Sequence, residues 1–123
     1  MRVVLVIGTR PQIIKSAPII KEALRRGVEL DVVHTGQHYD YELSRVFFNE
    51  LGLPDPVVNL GVGSGSHGEQ TGRMLIELEK TYRELRPDVV LVPGDTNSTL
   101  AGALAAVKLG VPVAHVEAGV RWG

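Results

Sequence analysis

The chain contains no cysteine, which excludes disulfides and thiolate metal sites and suits a reducing compartment. It also lacks an excess of one charge. Thirteen basic against fourteen acidic residues give a net charge of -1, so there is no electrostatic footprint for nucleic acid or an anionic membrane surface. Long apolar runs are missing too: the N-terminal stretch Val3-Val4-Leu5-Val6-Ile7 is too short for a signal sequence or a membrane span. Internal repeats and linker-like segments are likewise absent. What remains is a chain of 123 residues, 44% hydrophobic, large enough for one core and too small for two full domains. The expectation is one soluble, cytoplasmic domain over residues 1–123.

Short runs rich in Val and Leu alternate with segments of helical period, the pattern of βα units that build a parallel sheet buried on both faces. The fold class predicted is α/β, a Rossmann-like three-layer α/β/α arrangement with about five parallel strands. Val3–Ile7 reads as the first strand. Ile13, Ala17, Ile20 and Leu24 recur at helical spacing after it, Pro11 suits the first helical position, Gly27 suits the stop, and Pro18 should kink or interrupt this helix. Leu30–His34 is the second strand, followed by a helix with inner face Leu43, Val46, Phe47 and Leu51, stopped by Gly52. A weak third strand fits Val57–Leu60. The glycine-rich stretch 61–68 reads as a loop. The helix after it carries the stripe Met74, Leu75, Leu78, Tyr82 and Leu85 and ends at Pro87. Val89–Val92 is the fourth strand, and Ser98–Leu109 is a helix whose Ala, Leu and Gly content suits a buried position against the sheet. Val113–Val116 is the fifth strand.

In open parallel sheets, ligands bind outside the carboxyl ends of the strands. The polar residues of this sequence gather at those ends. Arg10 and Lys15 follow strand one, Gln37 and His38 follow strand two, Asp95 follows strand four and Glu117 follows strand five. Cations at a helix start oppose its dipole unless an anion sits there, so Arg10 and Lys15 read as an anion site. Arg10 paired with Asp95 or Glu117 is the structural alternative. Asp95 also suits an N-cap, although Thr96 and Asn97 are able to take that role. Glu117 ends a buried strand, where an ionised carboxylate is rare unless paired or functional. Two cations and two carboxylates around one cleft bind an anionic leaving group and move protons.

Metal chemistry is not expected. His115 and Glu117 share one face of a strand, but so few converging histidines favour His115 as a hydrogen-bonded core residue over a ligand. The glycine-rich loop has no Walker lysine, which argues against a nucleotide triphosphatase. One glycine in the turn after strand one, and His34-Thr35 where a ribose-binding acid belongs, argue against a dinucleotide site.

Four motifs in order, Gly8-Thr9-Arg10-Pro11-Gln12-Ile13-Ile14-Lys15, Thr35-Gly36-Gln37-His38, Gly94-Asp95-Thr96-Asn97-Ser98-Thr99 and His115-Val116-Glu117-Ala118-Gly119, give the chain a specific resemblance. It resembles the non-hydrolysing UDP-N-acetylglucosamine 2-epimerases over almost its whole length. The resemblance implies the N-terminal half of a glycosyltransferase B type fold, with the UDP-binding domain and a further catalytic glutamate beyond Gly123. It implies interconversion of UDP-N-acetylglucosamine and UDP-N-acetylmannosamine by elimination and re-addition of UDP, a step supplying polysaccharides. Asp95 and Glu117 are then the catalytic carboxylates, Arg10 and Lys15 lie near the leaving diphosphate, and Gln37 and His38 bind substrate. No metal or other cofactor is required. The partners implied are a UDP-sugar and, for the protein itself, a second copy or a complementing C-terminal domain. Alone, such a half-enzyme is expected to have little or no activity. A non-catalytic interaction module and half of a sugar-nucleotide glycosyltransferase are the alternatives on the same fold. Gln12 stands where many family members have Glu, and Pro93 where histidine is common.

Overall fold

A computed structural model describes residues 1–8, 10–35, 46, 48–53, 56, 58–60, 66–93 and 97–116. Its elements are β1 (Arg2–Ile7), α1 (Arg10–Arg25), β2 (Glu29–His34), β3 (Val58–Asn59), α2 (His67–Leu85), β4 (Val89–Pro93), α3 (Asn97–Lys108) and β5 (Val113–Val116). All pairings are parallel, in a five-stranded sheet of order β3-β2-β1-β4-β5. The α/β class and the strand count agree with the sequence pattern.

Strand alternation explains why the sheet is covered twice. Side chains along β1 point to opposite faces in turn. Val4 and Val6 join Val33, Met74, Leu78, Tyr82, Val90, Val92 and Ala101, Ala105 and Ala106 of α3 in one cluster. Leu5 and Ile7 join Ile13, Ala17, Ile20, Val32 and Phe48 in the other. Thus α1 lies on one face while α2 and α3 lie on the other. From β1 the chain winds one way to β2, and from β4 it winds the other way to β5, so the winding reverses between β1 and β4.

Two caps define α2. The Ser66 hydroxyl accepts a bond from the Glu69 amide at 3.2 Å, and the helix begins at His67, two residues inside the stretch expected to be loop. At the other end Arg86 takes a left-handed conformation, φ 51° and ψ 59°, and its amide donates to the Tyr82 carbonyl at 2.8 Å. Arg2 fastens this corner, its guanidinium donating to the Leu85 carbonyl at 2.6 Å and its amide to Asp88 Oδ2 at 2.7 Å.

Several expectations are corrected. The helix α1 runs through Pro18 without interruption. Proline removes the bond to the Ile14 carbonyl, but Ile14 and Pro18 both lie on the exposed side, where water replaces the lost donor. Leu24 and Val46 are exposed rather than inward, and Phe48 is the phenylalanine seen filling the core. Phe47, with Leu43, lies outside the described residues. On α3 only one side is buried: Ala101, Gly102, Ala105 and Ala106 face inward, while Leu100, Leu104 and Val107 are exposed. His115 is exposed, not a core residue, because it sits on the last strand of the sheet. Among the described residues no helix is long and apolar enough to cross a membrane.

Candidate functional site at the strand C-terminal edge

The reversal of winding brings the ends of β1 and β4 together at the switch point. Their register runs Val3↔Val89, Val4↔Val90 and Leu5↔Leu91 and stops there, although both strands continue. The helices that follow leave to opposite faces, so the β1–β4 register ends in a gap between the two backbones.

Gln12 fills that gap. It is 4% exposed, in the first turns of α1, and its Oε1 accepts from the Gly8 amide at 2.7 Å while its Nε2 donates to the Pro93 carbonyl at 3.0 Å. In the sequence Gln12 stands out only as part of a motif and as a departure from the family pattern. Its signal was present: a polar residue beside Ile13 on the face that also holds Ala17 and Ile20. On the far side of β1, Thr35 closes the junction with β2. Its amide donates to the Ile7 carbonyl at 2.9 Å and its hydroxyl to the same oxygen at 3.3 Å. His34, the last residue of β2, is 1% exposed and its carbonyl accepts from the Leu60 amide at 2.8 Å.

The anion-site expectation concerns this edge. Arg10 is the first residue of α1, and the first turn of that helix contains no acidic side chain. Lys15 is exposed on the second turn. A first turn with no acidic side chain leaves the positive end of the helix dipole without a compensating carboxylate. Asp95 follows Pro93 by two residues and Glu117 follows Val116 directly, but both, with Gln37 and His38, lie outside the described residues. Among the described residues no group of three or more His, Asp or Glu is placed to hold a metal ion.

The shifted titrations fall elsewhere. Hydrogen bonds from Arg25 and then Arg26 hold the exposed Glu22 carboxyl below its ordinary range. Burial pushes the Tyr82 phenol up. An open groove of about 660 Å³, lined by Pro18, Ile19, Glu22, Ala23 and Arg26, also lies toward the C-terminal end of α1, away from the strand ends where the sequence motifs gather.

Comparison with known proteins agrees with this architecture. The profile of the UDP-N-acetylglucosamine 2-epimerase family matches residues 21–123. A UDP-N-acetylglucosamine 2-epimerase of Methanocaldococcus jannaschii is 54% identical over 98% of this chain, which spans 33% of that protein. A UDP-2,3-diacetamido-2,3-dideoxy-D-glucuronate 2-epimerase of Pseudomonas aeruginosa is 50% identical over 98% of the chain and 34% of its own length. Among solved structures, the Methanocaldococcus jannaschii enzyme in complex with UDP-GlcNAc and UDP superposes with a TM-score of 0.89, at 54% identity, covering 98% of this chain and 33% of that one. The Neisseria meningitidis enzyme bound to UDP-GlcNAc gives a TM-score of 0.86 at 35% identity, over 99% of this chain and 33% of that one. The chain therefore spans about a third of the relatives it matches, and the fold corresponds to their N-terminal part. This chain belongs to the UDP-N-acetylglucosamine 2-epimerase family.

Proposed function

We propose that the chain forms the N-terminal wall of a cleft in which a UDP-linked 2-acetamido sugar is epimerised at C2, and that alone it turns over little or nothing. The observation that carries this reading is its likeness, TM-score 0.89 over 98% of its length, to part of an enzyme crystallised with UDP-GlcNAc and UDP. The family motifs following β1, β2, β4 and β5 support it.

The chemistry follows from the substrate. A C2 proton beside a sugar ring is not acidic in the ground state, so it leaves as the C1–O bond to UDP breaks and positive charge develops at C1. The bond electrons depart with UDP, the C2–H electrons form the C1–C2 double bond, and a base takes the proton. Return of a proton to the opposite face of C2, with re-addition of UDP at C1, completes inversion. In this reading Asp95 and Glu117 transfer protons and stabilise the cation, while Arg10 and Lys15 stabilise the departing diphosphate. Gln37 and His38 bind the UDP-sugar. No step requires a metal or a nicotinamide.

The Pseudomonas aeruginosa relative supports a second substrate within the same chemistry. At 50% identity its name specifies a 2,3-diacetamido glucuronate in place of N-acetylglucosamine. A chimera decides both points, with this chain replacing the matching N-terminal third of the Methanocaldococcus jannaschii enzyme. It is expected to convert UDP-N-acetylglucosamine to UDP-N-acetylmannosamine, with the isolated chain inactive. A folded chimera that turns over neither UDP-sugar overturns the enzymatic reading and favours an interaction module.

A further inference from the structure

A surface helix ordinarily turns an apolar stripe inward and its charges outward, and α3 does not. Its inner side is Ala101, Gly102, Ala105 and Ala106, buried against the sheet. The opposite side carries Leu100, Leu104 and Val107, which are 58%, 38% and 64% exposed. At 3.6 residues per turn these three fall within an arc of about 60° and run for about 10 Å along the helix. Lys108 is the one charged residue between Asn97 and Lys108. The other two long helices are built the usual way: exposed positions include Lys15, Lys21, Glu22 and Arg25 on α1, and Glu69, Arg73, Lys80 and Arg83 on α2. Ile76 of α2, which packs along α3, adds one more exposed apolar side chain to this layer.

We propose that this face of α3 pairs with the same face of a second copy of the chain, in a weak two-fold dimer whose α3 helices run antiparallel. The stripe is close to symmetric about Leu104. An antiparallel copy therefore sets Leu104 against its own counterpart near the axis and Leu100 against the partner's Val107. The same arrangement opposes the two helix dipoles and puts the two Lys108 ammonium groups at opposite ends, whereas a parallel pair brings them together. A net charge of -1 per chain adds little repulsion between copies. A membrane surface is the poorer occupant, because a helix lying in that interface needs a strongly charged opposite face, and here the opposite face is Ala and Gly packed on the sheet. The inference is independent of the functional reading above.

The size of the face sets the strength of the pairing. With 12 residues α3 is about 18 Å long, and with α2 roughly 9 Å to its side the layer offers a face of about 400 Å² per copy. Two such faces bury about 800 Å², below the roughly 1,200 Å² at which standard stable interfaces begin. The dimer is therefore one that forms and dissociates with concentration. The charges of α2 lie at its rim, where Arg73 with Glu69, Lys80 with Glu77 and Arg83 with Glu79 are already paired within the helix. Rim charges of both signs shape the contact but add little to its strength.

Sedimentation equilibrium of the 123-residue chain tests this. The wild type is expected to move from monomer toward dimer mass between about 10 μM and 1 mM, the range of weak contacts. Leu104→Glu and Leu104→Lys are each expected to shift that transition at least tenfold higher in concentration, because each sets like charges together at the axis. An equimolar mixture of the two is expected to associate again near the wild-type concentration, since opposite charges then face each other. Both variants are expected to keep the wild-type circular dichroism and cooperative unfolding as monomers, which separates lost pairing from lost folding. Val107→Lys, at the most exposed position of the stripe, is expected to weaken association without cost to folding. Lys21→Glu, on α1 across the sheet, is expected to leave association unchanged. Three results overturn the proposal. A wild type still monomeric at about 1 mM leaves the face to a different partner. Variants that associate as the wild type does place the contact elsewhere, and a mixture no better than either variant alone removes the antiparallel two-fold.

Discussion

The Tyr82 hydroxyl donates to the Gly102 carbonyl at 3.1 Å, tying α2 to α3 where α3 lies closest to the sheet. Burial of a phenol is favourable only if its hydroxyl finds a partner, and this bond supplies one. Tyr82→Phe is expected to lose about 1 kcal/mol of stability, read by denaturant unfolding near neutral pH. The pH dependence has a definite sign. Burial raises the phenol pKa in the folded state, so the protonated form is favoured there and its contribution is complete below the unfolded value near 10. Above that pH the unfolded chain ionises and stability falls. Tyr82→Phe is expected to lose less stability than wild type between pH 9 and 11.

Gly102 permits that close approach. A Cβ built there meets Val92 Cγ1 at 3.1 Å, the Tyr82 hydroxyl at 3.4 Å and Val6 Cβ at 3.5 Å. Helix propensity favours alanine by up to about 1 kcal/mol, but overpacking a tight core contact costs about 1–3 kcal/mol. Gly102→Ala is expected to be destabilising on balance. A double-mutant cycle with Val92→Ala is expected to show favourable coupling, because the smaller partner relieves the contact.

Ser16 points the other way. Its residue is fully buried in α1, and among the described residues its hydroxyl is the buried side-chain atom without a hydrogen-bond partner. A buried donor left unpaired costs about 1–3 kcal/mol. Ser16→Ala is expected to raise stability by about 1 kcal/mol in denaturant unfolding.

Arg86 offers a second stabilising change. It ends α2 with φ 51°, a conformation that costs a residue with a Cβ about 1–2 kcal/mol. Arg86→Gly removes that penalty and adds backbone entropy to the unfolded chain, for an expected net gain of about 0.5–1 kcal/mol in thermal or chemical unfolding.

Much of the architecture was legible because it depends on periodicity. Strands such as Val3–Ile7 and Val89–Val92 had to be buried on both faces, and the helices between them had to cross over, which leaves a parallel sheet as the solution. Errors arose where local pattern and tertiary cover diverge. Among the described residues Val46 is apolar yet exposed, and His115 lies on the last strand of the sheet. Helix α1 continues through Pro18, since continuity depends on which side the lost bond faces. Of the candidate site, Arg10 at the start of α1 and the collection of strand ends followed from sequence order. The bonding of Gln12 did not, since it depends on meeting the carbonyl of Pro93, 81 residues further along the chain.

The most direct test of the functional account is hydrogen exchange at C2 in the chimera. UDP-N-acetylglucosamine incubated in D2O is expected to gain one deuterium at C2 in both the recovered substrate and its epimer. Asp95→Asn or Glu117→Gln is expected to lower that rate by about 100-fold or more, the scale of general acid–base catalysis. Epimerisation without C2 deuterium, or full exchange in both variants, contradicts the account.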